Sequence, residues 1–337
     1  MSSPDPLLPV LETRPEGLYS GAFEAYVDPP AAAARAILSH GHSDHAAPGH
    51  GEVWATPETL AIYRRRHPDW RGNAREIRWG ERIEAGGAVL ELFASGHILG
   101  AAQLRFGLGG QTLLYTGDFQ RRPSRTSAPA QAPHATVLLI ETTFGLPVFR
   151  FPRRDELEAR LVSACREAIE AGATPVLLAY ALGKAQEAAA VLTEARISTV
   201  LHGAAWKLLP EFEAKGFTFP LSRAYETGPA RPGEALVVPP RCARTAVVTQ
   251  IKKRRVLYLS GWAMRSAARA DFDADVLLPF SDHADFPELL EHVAEVAPER
   301  VVTHHGYARD FARILGERGI AAQPLPERNE RGPEDAG

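Results

Sequence analysis

Between His40 and His45 the chain places four potential metal ligands in six residues, His40-Gly41-His42-Ser43-Asp44-His45. Three imidazoles and a carboxylate this close together suit a pair of borderline-soft divalent cations. The cluster follows Ala36-Ile37-Leu38-Ser39, a short, apolar and partly β-branched run, so the ligands are expected where a buried strand ends. In an extended chain His40 and His42 point to one side and can share one cation. Asp44 and His45 are adjacent, so the chain has to turn there and aim them at a second. With 12 His in 337 residues, this pattern arises by chance in roughly one such chain in two thousand, so an accidental polar loop is a poor account of it.

One loop cannot complete two coordination spheres, and the same device recurs along the chain. Ser95-Gly96-His97-Ile98-Leu99-Gly100 follows the strand-like run Val89 to Phe93. Leu113-Leu114-Tyr115-Thr116-Gly117-Asp118 is an apolar strand ending in glycine and a carboxylate. Val301-Val302-Thr303-His304-His305-Gly306 again puts histidine at a strand end. A lone histidine after a strand is more often capped or exposed than a ligand. Four such ends supply enough ligands for two metals, and strand-end loops along one sheet edge are where α/β proteins place their sites.

These residues resemble, in order, the double-metal signature of the metallo-β-lactamase superfamily: Asp28, then His40, His42, Asp44 and His45, then His97, then Asp118. Leu139-Ile140-Glu141-Thr142-Thr143-Phe144-Gly145, Phe280-Ser281-Asp282-His283-Ala284-Asp285 and His305-Gly306 resemble the three motifs of its β-CASP nuclease branch. Ala181-Leu182-Gly183-Lys184-Ala185-Gln186-Glu187 is similar to the helix-opening segment of the domain inserted in that branch. The resemblance runs from about Leu18 to about Leu315 and implies an α/β fold, an αββα sandwich with an inserted α/β (β-CASP) domain. The modest length, with Gly17-Leu18-Tyr19 early and Leu259-Ser260-Gly261-Trp262-Ala263 late, is similar to bacterial ligase-associated DNA exonucleases. Such enzymes act in DNA damage response beside an ATP-dependent DNA ligase and a helicase.

The resemblance also implies roles. His40, His42 and His97 would hold one metal, and Asp44, His45 and His305 the other, with Asp118 bridging; the metals would be zinc, with manganese as the alternative. His304 competes with His305, and the glycine that follows favours His305. Asp28 would orient the ligand loop, or is merely a turn residue before Pro29-Pro30. His283 would be the general acid and Glu141 the carboxylate that orients it, with Asp282 a rival for that role. His50, His67, His134, His202 and His292 sit in no such context and read as structural.

Composition is consistent with these implications without requiring them. A hydrophobic content of 45% sustains a real core, and Cys165 and Cys242 form no disulfide framework or thiolate site. No apolar run is long enough for a membrane span, and Met1 to Pro9 has none of the features of a signal peptide, so a cytoplasmic, membrane-free protein is expected. A net charge of -3 leaves nucleic-acid binding to local patches. Arg64-Arg65-Arg66, Arg150 with Arg153-Arg154, and Lys252 to Arg255 each read best as solvated surface. Arg121, Arg122 and Arg125 are the exception, because they follow Asp118 directly. Gly183-Lys184 opens a helix without the glycine and Ser/Thr of a P-loop; a plain helix start and a phosphate contact by Lys184 are equally compatible with it.

The expected domains are residues 1–150 and 273–323 for the sandwich, 151–272 for the insertion, and a disordered tail over 324–337. Within the insertion, helices are expected over 153–171, 184–194 and 206–215, with strands between them. The chain is expected to return to the sandwich at Val276-Leu277-Leu278-Pro279, and a helix is expected from about Ala308 to Arg318. The substrate expected is nucleic acid, DNA ahead of RNA. The alternatives are an RNA-processing nuclease, a small-molecule metallo-hydrolase, for which Glu141, His283 and the insertion would be superfluous, and a non-catalytic scaffold, which the full ligand set disfavours.

Overall fold

The structure, a computed structural model, describes residues 10–326. It divides into two compact units. The first comprises the chain up to Arg121, Ser127–Val148 and the chain from His283. The second comprises Arg122–Thr126 and Phe149–Asp282.

The first unit holds two sheets. One has six strands in chain order, Glu12–Arg14, Gly17–Ser20, Ala25–Val27, Arg35–Ile37, Glu52–Ala55 and Asn73–Glu76. The other has seven, ordered in space as Ala322–Pro324, Arg300–His304, Val137–Glu141, Gln111–Tyr115, Ala102–Leu108, Ala88–Ala94 and Arg82–Ala85. Alternation decides which face each side chain takes. Ile37, Leu113, Tyr115, Leu139 and Val302 enter the core between the sheets, with Trp54, Leu90, Leu104 and Phe106. Their neighbours Leu114, Leu138, Ile140 and Val301 face the opposite way, against the helices Phe286–Val296 and Ala308–Glu317 through Phe286, Leu289, Phe311 and Leu315. Ala36, Leu38, Val53 and Ala55 likewise meet Leu60 and Tyr63 of the helix Pro57–Arg66. The result is helix, sheet, sheet, helix: the expected αββα sandwich. Its central strands are apolar on both faces because both faces are covered. Truncating the fully buried Phe106 to alanine would cost about 3–5 kcal/mol.

The second unit is a parallel sheet ordered Ser222–Ala224, Ser198–Leu201, Glu234–Val238, Thr174–Leu178, Arg254–Leu259 and Val276–Leu278. The helix Lys184–Glu194 supplies the crossover from Thr174–Leu178 to Ser198–Leu201, and the helix Arg154–Glu170 leads into the first of these strands.

Four expectations need correction. Val276–Leu278 does not return the chain to the sandwich: it pairs in parallel with Arg254–Leu259, so the insertion runs to Asp282 rather than 272. An apolar strand carries no local mark of which sheet it will join. The insertion also takes in Arg122–Thr126. The helix expected over 206–215 is two short ones, Gly203–Trp206 and Leu209–Glu213, because Pro210 lacks the N–H that a continuous helix would need there. Finally, Pro324 closes a strand paired with Arg300–His304, and the Leu325 N–H donates to the Thr303 carbonyl at 2.8 Å. The rest of the expected tail, 327–337, and the opening Met1 to Pro9 lie outside the described residues. Among the described residues, no helix is long and apolar enough to cross a membrane.

Candidate metal centre

The ligand loop leaves the sheet directly after Arg35–Ile37. Its turn is fixed by the His45 and Ala46 N–H groups, which donate to the His42 carbonyl at 3.2 and 2.8 Å. Asp28, at the end of the neighbouring strand and held at φ +43°, organises the loop. Its buried carboxylate accepts from the Ser39 N–H at 2.7 Å, the Ser39 hydroxyl at 2.5 Å, the Tyr115 hydroxyl at 2.9 Å and His45 Nδ1 at 2.9 Å. A carboxylate accepts only, so His45 must carry its proton on Nδ1 and the Ser39 hydroxyl must donate to Asp28. That hydroxyl can then accept only from His40 Nδ1, 3.0 Å away. One aspartate thus commits the Nδ1 atoms of two histidines and leaves Nε2 of each as the atom that can ligate.

The Nε2 atoms of four histidines converge on Asp118. Its Oδ2 lies 3.5 Å from His40 Nε2, 3.5 Å from His45 Nε2, 3.7 Å from His97 Nε2 and 4.0 Å from His283 Nε2. Asp118 hangs from Gly117, whose φ is +51° and where a Cβ would come within 2.7 Å of the Ser39 side chain. The ligand atoms of His40, His42, His97 and Asp118 all lie within 4.8 Å of one another. His42 Nδ1 and His97 Nε2 stand only 2.9 Å apart. A tetrahedral zinc site with bonds of about 2.0–2.1 Å sets its ligand atoms about 3.3 Å apart, so these groups fit a cation.

The electrostatics favour the same reading. His40 Nε2 is buried with no hydrogen-bond partner. Burial, then the charges of His45, His97 and His42, pushes the His40 pKa well below 6.5, which keeps it in the neutral, ligating form. Burial also pushes the Asp118 carboxyl up to about 6, against the pull of His45 and His283. Burial opposes charge on His45, yet Asp118 and Asp44 raise its pKa well above 6.5; a divalent cation could take the place of that proton in balancing the buried carboxylate.

The other expected ligands border this cluster less tightly. Asp44 Oδ2 is 3.9 Å from His45 Nε2, and its side chain is 52% exposed. The rings of His45 and His305 are 6.0 Å apart. His305 is exposed and held at φ +58°, a conformation worth about 1–3 kcal/mol of strain that persists only where its surroundings impose it. Gly306 beside it could not be another residue, since a Cβ there would lie 2.5 Å from Thr143 Cα. His304 is buried instead, stacked 5.4 Å from Tyr115, and its Nε2 has no hydrogen-bond partner.

His283 approaches the same Asp118 oxygen, with its ring 4.8 Å from that of His97. Its Nδ1 is 3.0 and 3.2 Å from the two oxygens of Glu141. Glu141, fully buried at the end of Val137–Glu141, also accepts from the Phe119 N–H at 3.0 Å and the Thr143 hydroxyl at 2.5 Å. Burial opposes its ionisation, but the charge of His283 and these donors together hold its pKa below the usual value. The Ala284 N–H donates back to the Phe119 carbonyl at 2.6 Å, so the His283 and Asp118 loops are fastened to each other. Asp282, the rival for orienting His283, forms a buried ion pair with Lys184.

The cations expected to meet phosphate are differently employed. Lys184 is buried and paired with that Asp282. Arg125 is engaged by Glu158 at 2.6 Å and also by Glu194. Arg121 is engaged by Glu295 at 2.5 Å, and Arg122 lies over the Phe151 ring, 4.8 Å from its centroid. Closeness to Asp118 in sequence could not reveal carboxylates that arrive from far along the chain. Conversely, Arg66, at the end of its helix, donates to the Gly41 carbonyl inside the ligand loop at 2.6 Å. Only its place in an arginine run could have pointed to it. Nothing local marks Ser39 or Tyr115 as partners of Asp28.

No family model matches the chain. A "Probable DNA ligase" of Opitutus terrae is 37% identical over 318 residues, 93% of this chain and 31% of that protein. Cleavage and polyadenylation specificity factor subunit 3 of Dictyostelium discoideum is 30% identical over 191 residues, 47% of this chain and 24% of that protein. An RNase J-like protein of Methanocaldococcus jannaschii is 38% identical over 99 residues, 29% of this chain and 24% of that protein. The chain therefore spans less than a third of each of these relatives. Among solved structures, a protein of unknown function from Enterococcus faecalis shares the fold with a TM-score of 0.60 at 17% identity, over 88% of this chain and 80% of that one.

Proposed function

The chain belongs to the β-CASP branch of the metallo-β-lactamase superfamily, and we propose that it is a metal-dependent phosphodiesterase that shortens DNA strands from an end during repair, beside a DNA ligase. His40, His42 and His97 would hold one cation and Asp44, His45 and His305 a second, with Asp118 shared between them. Zinc suits the imidazole-rich set, and manganese is the alternative. Bound there, two divalent cations supply Lewis-acid activation of the attacking water and neutralisation of charge on the phosphodiester.

The protein's own residues handle the leaving group. As the P–O bond breaks, the departing oxygen needs a proton, since an alkoxide leaves poorly at neutral pH. His283 Nε2 faces Asp118, and its other nitrogen is committed to Glu141, so Nε2 is the atom that can release a proton. Glu141 steadies the imidazolium before transfer and the ring orientation after it. Asp28, through Ser39 and His45, keeps the ligand loop ordered.

The observation that carries the reading is the His283–Glu141 pair set against Asp118, which a metal centre for simple hydrolysis would not need. The choice of DNA is supported by the longest of the three sequence matches, in which nearly the whole chain aligns within a protein named as a probable DNA ligase. A repair enzyme of this kind would work in the cytoplasm, with a helicase as a further partner. The second reading, an RNA-processing nuclease, is favoured by the RNA-related names of relatives matching shorter stretches.

Digestion of end-labelled linear DNA and RNA strands, beside closed circular single strands, tests the proposal. It expects linear DNA to be degraded faster than RNA and circles to survive. Equal or faster loss of RNA would overturn the DNA assignment, and cutting of circles would overturn the action from an end.

A further inference from the structure

The helix Pro57–Arg66 ends in three consecutive arginines, Arg64, Arg65 and Arg66, all solvent-exposed. Cations in a last helical turn have an ordinary use, complementing the negative end of the helix dipole. Arg66 departs from that use. Its Nη1 donates not to a carbonyl of its own helix but to that of Gly41, at 2.6 Å, between His40 and His42. Arg121, Arg125 and Lys184 each end on carboxylates. Among the described residues, neither Arg64 nor Arg66 makes an ion pair within the 4.0 Å that defines one. Asp44 acts on Arg66 only through its field.

A guanidinium has five N–H donors. One is spent on Gly41, which fixes the group in place, and others remain for a bidentate contact to phosphate oxygens. Consecutive Cα atoms are about 3.8 Å apart, so Arg66 stands on the order of 10 Å from the converging imidazoles. That is one to three nucleotides along a strand rising about 3.4 Å per phosphate.

We infer that Arg66 binds a backbone phosphate of the nucleic-acid strand as it approaches the metal centre; Arg64, two residues earlier and so about 200° away around the helix, faces elsewhere. The inference rests on the nuclease reading and gives that site an anchoring point that reads charge and not sequence.

The test compares wild type with Arg66→Ala, Arg66→Lys and Arg64→Ala. Affinity for a phosphorothioate-linked DNA strand that resists hydrolysis is measured at several KCl concentrations, and the metal content of each protein is measured alongside. Arg66→Ala should bind several-fold more weakly, and its log affinity should fall with log salt less steeply by about 0.7 for each phosphate no longer neutralised, while Arg64→Ala should bind like wild type. Arg66→Lys should keep most of the slope. A wild-type slope in Arg66→Ala, or an equal loss of slope in Arg66→Ala and Arg64→Ala, would overturn the inference. So would loss of metal in Arg66→Ala with a wild-type slope restored once metal is resupplied, which would make Arg66 a strut of the ligand loop. If wild type binds the strand but cuts no nucleic acid, the activity reading fails while the slopes still judge the arginines. If it binds no strand, both fail.

Discussion

His283 Nδ1 sits 3.0 Å from Glu141 Oε1 while its Nε2 lies 4.0 Å from Asp118 Oδ2, so one ring joins a buried carboxylate to the candidate metal centre. If that ring protonates the leaving oxygen, His283→Ala should slow DNA hydrolysis by about 10²–10⁴-fold with metal content unchanged. A nitrophenyl phosphodiester, whose leaving group departs without a proton, should be affected far less. Glu141→Gln should show a weaker form of the same pattern. Asp118, Glu141 and His283 also lie close enough to hold an ion, so loss of metal in His283→Ala would make it a ligand instead. An equal rate loss on both substrates would make it a phosphate-positioning group.

Asp28 touches no expected metal position, yet it receives four hydrogen bonds that order His40, His45 and Tyr115. Asp28→Ala should therefore weaken metal binding by about 10–100-fold, read by competition with a chelator. Unchanged affinity would reduce Asp28 to a turn residue.

His292, buried 4.4 Å from the Phe119 ring and 3.5 Å from Arg121 Nη1, has its pKa lowered to about 3 by burial and by the charge of Arg121. The folded value lies below the unfolded one, so the unfolded chain takes up the proton first. The stability tied to neutral His292 is then complete above about pH 6.5 and drains away as pH falls toward 3. Between pH 6.5 and 5 the loss should be about 2 kcal/mol. Denaturant midpoints across that range should fall less steeply for His292→Gln than for wild type. Parallel slopes would contradict this account.

The parts of this architecture that were readable from sequence are those that local chemistry specifies. A strand end followed by His40-x-His42 places both rings without reference to the rest of the chain. The same holds for Asp118 after Gly117, and for a helix that opens at Lys184 because the Gly183 N–H is held by the Gln186 side chain at 2.8 Å. What escaped was set by partners distant in sequence. Lys184 meets Asp282 across 98 residues, and the Arg125 guanidinium meets Glu194 across 69, so cations open to a phosphate reading are held by carboxylates distant in sequence. Val276–Leu278 is as apolar as a sandwich strand, and only its pairing reveals its sheet. The helix Pro57–Arg66, capped by Thr56, was hidden in a half of the chain that reads as strands and turns. The arginine run that looked like plain surface touches the ligand loop, because that helix packs against the strand leading into it.

The central claim is that the strand-end cluster around Asp118 is a two-metal centre that hydrolyses nucleic acid. Its most direct measurement is the number of metal ions per chain required for DNA hydrolysis, found by adding zinc or manganese back to the stripped protein. The account predicts that activity appears as the second equivalent binds, and that Asp118→Ala, lacking the shared carboxylate, is inactive at any metal concentration. Full activity at a single equivalent, or an active Asp118→Ala, would contradict it.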